Sequence, residues 1–318
     1  MRLTARAIAA ICWRLYRRPA MAAIVFAVVF LALVWAQEPS FRTGVDLVLL
    51  DVSVTDSHGV PVTGLHAEDF EVKEDRVRRE LSGFAMGSEN VSLALAVDFS
   101  GSMGPRRGAL VQSIRTFVSL LQPRDEAVLL TFNERPTLLT SLALAQSQSR
   151  EEWASALLRT LPSGKTGLYD AVIRTSEELQ GAMYERRVIV ILSDGKDTSS
   201  AATLNETVAK LQSSNRLVYC VGLFNPGEPD TDAHALRRLA SSTGGLALFD
   251  EDGKGLTQAL TKIMADLRTR YILEFRSPEA PPGVTQVRRL SVTVRDAKGG
   301  RLKVRARDEY RAVGAPHK

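Results

Sequence analysis

Cysteine is almost missing from this chain: of 318 residues, only Cys12 and Cys220 carry a thiol. Cys12 lies in an N-terminal stretch of leader character, so a processed chain keeps Cys220 alone. That excludes an internal disulfide and a cysteine metal site. Cys220 stands in the apolar run LVYCVGLF, where a thiol serves as a small buried hydrophobe. Histidine is scarce as well. His58, His66, His234 and His317 are scattered, without the spacing of a zinc site or a catalytic triad. A basic surface is lacking too, once the charge is located. The net +5 belongs to Arg2, Arg6, Arg14, Arg17 and Arg18, which share residues 1–36 with no acid; the other 36 basic side chains are balanced by 36 acidic ones. Nucleic acid is therefore not an expected partner. Residues 271–318 hold 11 basic and 5 acidic side chains, which reads as a solvated strand face.

One long apolar run is present. Ala20 to Trp35, 16 residues, follows a basic stretch ending in Arg17-Arg18, and Val34-Trp35-Ala36 offers a cleavage position before Gln37. The run is shorter than the ~20 residues that span a bilayer comfortably. Residues 1–36 therefore read as a signal peptide or an N-terminal membrane anchor. Pro19-Ala20-Met21 fits a twin-arginine signal poorly. The rest of the chain is expected outside the cytoplasm: secreted, periplasmic or held to the membrane by this segment. An exported protein without disulfides is in keeping with a bacterial envelope.

Three further regions follow. In residues 42–86, Val48, Leu50, Val52 and Val54 alternate with Leu49, Asp51, Ser53 and Thr55, the period of a strand with one apolar face. Ser57-His58-Gly59 turns the chain, and Phe70 and Val72 alternate with Glu71 and Lys73. So short a β segment cannot hold a core alone. Residues 88–270 change character. The apolar runs 92–98, 127–132, 187–194, 216–224 and 246–250 alternate with helical patterns at 104–121, 166–184, 202–214, 232–242 and 254–269. Runs apolar on both faces with helices between them make a doubly wound, mostly parallel α/β sheet, whose site lies at the C-terminal strand ends. Residues 271–312 return to β. Leu290, Val292 and Val294 are expected to pair with Leu302 and Val304 as a hairpin around Lys298-Gly299-Gly300. The two β segments are expected to pack together as one β-sandwich, with the α/β domain inserted between them.

The chemistry gathers at the strand ends. LALAVD ends in Asp98-Phe99-Ser100-Gly101-Ser102, one carboxylate and two hydroxyls in a D-x-S-x-S loop, with Gly101 expected to allow a tight fold. Thr166 opens a helix in Gly164-Lys165-Thr166-Gly167-Leu168-Tyr169-Asp170, and Asp194 ends VIVILSD. Hard oxygen donors of this kind suit Mg²⁺, with Mn²⁺ or Ca²⁺ as alternatives, and not zinc.

Asp98, Ser100, Ser102, Thr166 and Asp194, with the phrases SDG and T-G-L-Y-D-A, resemble the metal-ion-dependent adhesion site of von Willebrand factor type A domains. The resemblance covers roughly residues 88–270. It implies that Asp98, Ser100 and Ser102 form the first coordination loop. Thr166 and Asp194 would bind directly or through water, and an Asp or Glu of a protein partner would complete the metal. It implies an adhesion module, not an enzyme. In some relatives movement of the last helix, here 254–269, couples the site to the rest of the molecule. The flanks, D-L-V-L-L-D-V-S-V-T-D through D-F-E-V-K-E-D, resemble A-domain-related proteins typical of Acidobacteria. Arg76-Val77 departs from the glycine common after E-D there, which affects a turn.

Other readings fare worse. Ser163-Gly164-Lys165-Thr166 is no phosphate loop, because Arg159 stands where G-x-x-x-x-G-K-[ST] needs glycine. A metal-dependent phosphoester hydrolase would need a second Asp at Ser100, or a base at usable spacing. A structural envelope subunit with a vestigial metal site is the other alternative. Asp170 is assigned to supporting its helix start, and Asn133, Glu134 and Asp197 to the rim of the site.

Overall fold

The computed structural model describes residues 45–87, 90–224, 231–250, 255–295 and 302–314. The leader expected at 1–36, Cys12, His317 and the turn at 298–300 lie outside the described residues. Among the described residues no helix is long and apolar enough to cross a membrane.

The larger sheet is built from strands β5 (Ser92–Asp98), β6 (Glu126–Phe132), β9 (Arg187–Ser193), β10 (Arg216–Leu223) and β11 (Ala247–Asp250), all parallel, in the order β11-β10-β9-β5-β6. Two short antiparallel strands, β7 (Pro136–Leu138) and β8 (Ala143–Leu144), finish the β6 edge. Every residue of β5, β6 and β10 is buried, as strands sandwiched between helix layers must be. Alternate residues serve opposite faces. Leu93, Leu95 and Val97 pack with α1 (Arg107–Ser119), α2 (Arg150–Arg159) and α6 (Leu256–Thr269). Ala94 and Ala96 pack with α3 (Leu168–Glu178), α4 (Leu204–Ser214) and α5 (Ala233–Ser241). The periodic face of α1 is as read: Leu110, Ile114, Phe117 and Val118 are buried and Leu121 packs against them. Helix α2 was not anticipated. Its signal was present in Ser149-x-x-Glu152, whose side chains cap each other's backbone amides.

The flanking β region is two four-stranded sheets. One orders β14 (Lys303–Arg305), β1 (Val45–Thr55), β12 (Tyr271–Pro278) and β4 (Leu81–Met86); the other orders β15 (Glu309–Val313), β13 (Thr285–Val294), β2 (Phe70–Glu74) and β3 (Val77–Arg79). Their inner faces share one core. Val48, Leu50, Val52 and Val54 meet Phe70, Val72, Leu273, Phe275 and Leu290 there. Tyr271 lies 5.0 Å from Phe70, ring to ring, and donates its hydroxyl to the Val62 carbonyl at 2.9 Å. N-terminal β1 pairs along C-terminal β12 from Val45↔Pro278 to Val52↔Tyr271, so the fold is α/β with a sandwich made from both flanks.

The expected hairpin is not formed. Strand β14 pairs with β1 through Ser53↔Arg305, in the sheet opposite β13, and β13 takes β15 as its neighbour instead. Alternation fixes which face is buried but not which strand lies alongside. Here β1 extends past β12 and offers an edge, and Arg305 gains an ion pair with Asp266 at 2.6 Å.

Asp266 and Arg270 join the two regions. Asp266, on α6, accepts from Tyr219 of β10 at 2.7 Å and from Ser53 of β1 at 2.9 Å. Arg270 is fully buried, pairs with Asp266 at 3.1 Å and donates to the carbonyls of Asp51 and Gly244 at 3.0 and 2.8 Å. Arg186 pairs with Asp51 at 2.9 Å and reaches the Leu267 carbonyl at 2.8 Å.

Candidate metal centre

The chain leaves β5 towards α1 on one side and leaves β9 towards α4 on the other. The crevice between these two strands is the topological switch point, where open α/β sheets bind ligands. Asp98 ends β5 and Asp194 follows β9, so the crevice is walled by two carboxylates. Asp98 is wholly buried, and Asp194 is nearly so.

Hydrogen bonds tie four of the five expected residues into one cluster. The Ser100 amide donates to Asp98 Oδ1 at 2.9 Å, curling the loop over the carboxylate. Ser100 Oγ and Ser102 Oγ are 3.1 Å apart, and Ser102 Oγ donates to Asp194 Oδ2 at 3.0 Å. Thr166 joins through its loop. Gly101 N–H donates to the Gly164 carbonyl at 3.1 Å, and Ser163 N–H to the Phe99 carbonyl at 3.0 Å. Among the described residues the Thr166 hydroxyl makes no hydrogen bond to the other four. Thr198 fixes that backbone: its Oγ1 accepts the Thr166 amide at 2.9 Å, and its own amide donates to the Thr166 carbonyl at 2.8 Å.

Ser193, the residue before Asp194 in the phrase SDG, bridges both sides of the crevice. Its hydroxyl donates to Asp98 Oδ2 at 2.7 Å and accepts the Gly195 amide at 3.0 Å. The glycine expected to matter was Gly101, but its φ is not left-handed and a Cβ there would meet only Gly164 O at 3.6 Å. The demanding position is Gly195. Its φ is +81°, and a Cβ would lie 2.4 Å from the Asp232 carbonyl oxygen, a site only glycine fits.

The rim residues are structural hinges of the same edge. Asp170 does not cap its own helix; it accepts the amides of Ala201 and Ala202 at 2.9 and 3.0 Å. Asp197 accepts from Ser200 Oγ at 2.6 Å and from the Tyr169 amide at 3.3 Å. Asn133 O accepts the Gly167 amide at 2.6 Å, and Glu134 takes the Lys165 amide at 3.3 Å. All are loop ties.

Electrostatics set the character of the crevice. Burial pushes the Asp98 carboxyl up to about 6; the hydroxyls of Ser100 and Ser193 counter it, and the Asp194 charge adds to it. Burial also raises Asp194, against the Lys196 amide, the Ser102 hydroxyl and the charges of Arg106 and Lys196. Two carboxylates held together out of water call for a cation. The donors are oxygens throughout, which fits a hard divalent ion. Among the described residues no three His, Cys, Asp or Glu side chains cluster for a metal, so any ion here depends on hydroxyls as well as on the two aspartates.

A family profile for the von Willebrand factor type A domain matches residues 92–262, more than half of the chain. The chain belongs to the von Willebrand factor type A family. The chain shares its fold with a von Willebrand factor type A protein from Catenulispora acidiphila, 17% identical, with a TM-score of 0.51 over 87% of this chain and 76% of that one. Proximal thread matrix protein 1 from the mussel byssus, seen with zinc in its MIDAS motif, is 14% identical with a TM-score of 0.51, over 62% of this chain and 50% of its own. The chain thus matches about half the length of the mussel protein. At these identities the likeness shows the fold alone. No curated protein matches the sequence. A domains are in general adhesion and protein-interaction modules.

Proposed function

We propose that this is an exported adhesion module that holds a divalent cation at Asp98, Ser100, Ser102, Thr166 and Asp194 and binds an Asp or Glu of a protein partner through it. The observation that carries the reading is the Ser100–Ser102–Asp194 chain of hydrogen bonds beside the buried Asp98. Asp98 and Asp194 supply the negative charge that holds the ion, and the hydroxyls of Ser100, Ser102 and Thr166 supply neutral oxygens. Bound there, the cation would act as a Lewis acid for an incoming carboxylate. A carboxylate is a stronger ligand for a hard divalent ion than a neutral oxygen such as water, so an incoming acidic side chain can displace one. The oxygen-only donor set favours Mg²⁺ or Mn²⁺; zinc in the mussel protein makes Zn²⁺ the competitor to test. No histidine is in the set, and Ser193 and Thr198 are spent on fixing the loops. Catalysis is therefore not part of the proposal. Location outside the cytoplasm rests on the leader pattern at 1–36.

Calorimetric titration of Mg²⁺, Mn²⁺ and Zn²⁺ into the protein, beside Asp98→Ala and Asp194→Ala, tests this. One saturable site lost in both variants is the expected result. Binding unchanged in both variants would place any ion elsewhere and end the proposal.

A further inference from the structure

Next to the metal loop the surface turns apolar. Leu161 is 72% exposed, the most exposed large apolar side chain among the described residues, and Leu158 is 50% exposed. Single exposed leucines are ordinary. Here Leu158 sits in the last turn of α2 and Leu161 just past its extended C-cap, Thr160, and their surroundings give them meaning. Both lie at the end of α2, where Leu157 and Trp153 point inward into the core. The chain from Leu161 runs at once into the site: Ser163 donates to Phe99 O and Gly164 accepts from Gly101. Two residues of chain span at most ~7 Å, so Leu161 stands that close to Ser163. On the other side, the Arg107 guanidinium at the start of α1 donates to the Leu158 carbonyl. The Leu158 carbonyl, and Ser163 two residues after Leu161, are thus bonded to Arg107 and Phe99, which flank Ser100 and Ser102. Pro162 follows Leu161 and restricts it to extended backbone, which narrows the conformations open to this exposed side chain. Nothing in the fold requires a leucine at a position so open to water.

We propose that Leu158 and Leu161 form a specificity ledge for the partner of the metal site. The occupant is a partner segment whose metal-binding Asp or Glu has a large apolar side chain one or two residues away. This rests on the metal reading above. Residues i and i+2 of an extended segment lie ~7 Å apart on one face, so one short segment can present a carboxylate to the crevice and an apolar group beside it. The carboxylate supplies metal dependence, and the ledge supplies the choice among acidic partners. Burying one such side chain favours the matching segment about tenfold.

The test uses the full chain and two synthetic glycine peptides on dense biosensor surfaces. One carries a single glutamate; the other carries the same glutamate with a leucine two positions away. Both are measured in Mn²⁺ and in EDTA. The expected result is binding of both in Mn²⁺, about tenfold tighter for the leucine peptide. Leu161→Ser brings the two level, while Met183→Ser, a 64% exposed site beside Glu126 at the far end of the sheet, changes neither. EDTA and Asp98→Ala abolish both. If the peptides bind equally in Mn²⁺ and Leu161→Ser has no effect, the ledge is overturned and the metal reading stands. If the leucine peptide binds as well in EDTA, the ledge is not coupled to the metal and the proposal falls. If neither peptide binds in Mn²⁺, the ledge falls together with the reading beneath it.

Discussion

The two ends of the central sheet treat a buried aspartate in opposite ways. At the C-terminal end Asp98 is surrounded by hydroxyls and a second carboxylate, and burial raises it to about 6. At the other end burial would raise Asp266 as well, but the guanidiniums of Arg270 and Arg305 and the hydroxyl of Tyr219 hold it far below the usual carboxylate range. The protein supplies its own cations where it joins the A domain to the sandwich. At the crevice between β5 and β9 Asp98 meets hydroxyls and a second carboxylate, and the charges of Arg106 and Lys196 leave Asp194 raised all the same. One end is a finished joint and the other an open valence. A buried charge costs several kcal/mol unless paired, and the end where burial still raises both carboxylates is the one at which we propose that a cation binds.

The largest effect is expected at the joint. Arg270→Ala removes one of the two guanidiniums on Asp266 and a donor from the carbonyls of Asp51 and Gly244, and should cost about 3–5 kcal/mol, read from denaturant unfolding. A cost below about 1 kcal/mol would show that the joint is no weld and dissolve the contrast.

The second prediction separates the ends by pH. Asp98 has a folded pKa above its unfolded value of ~3.9. Its contribution to metal-free stability is therefore full below pH ~4 and lost as pH rises to about 6, by ~3 kcal/mol for a shift of this size. Asp98→Asn should not show that loss. Asp266 has the opposite sign: its folded pKa is depressed, so its contribution is present above pH ~4 and is lost as pH falls below that. Asp266→Asn should flatten the acid limb, and Asp98→Asn the limb between pH ~4 and ~6. Identical pH curves for the two variants would refute the distinction.

Metal should close the open end. With Mg²⁺ or Mn²⁺ at a hundred times its dissociation constant, wild type should gain ~2.7 kcal/mol at pH 7, and Asp98→Ala nothing. Thermal melts with and without EDTA check this, and equal shifts in both proteins would count against the site.

The smallest effect is a yardstick remote from both ends. The turn between β2 and β3 places Asp75 and Arg76 at φ of +48° and +70°, the two-residue hairpin geometry that favours glycine second. Arg76→Gly should stabilise by about 1 kcal/mol and leave metal and pH responses untouched.

Much of this was readable in the residues. The runs SLALAVD, EAVLLTF and RLVYCVGL are apolar on both faces, which only a covered parallel sheet satisfies. Asp98, Ser100, Ser102, Thr166 and Asp194 could be nominated because strand ends and helix starts have local signals. Ser193 was harder, since its part depends on which aspartate lies across the crevice. The importance of Gly195 over Gly101 was likewise invisible, because it arises from the Asp232 carbonyl 37 positions later in the chain. The β14 pairing was missed for the same reason: alternation carries no record of the neighbour.

By itself the sequence determined the element types, the faces they bury and the residues able to offer oxygen to a cation, because period, propensity and side-chain chemistry are local. Tertiary structure alone decided that β5 and β9 would be neighbours, so that two aspartates 96 positions apart wall one crevice, and that Asp266 would meet two arginines while Asp98 would meet hydroxyls and a second carboxylate. Those outcomes depend on distances across the fold, and the energy of a buried charge is set by what stands within a few ångströms of it.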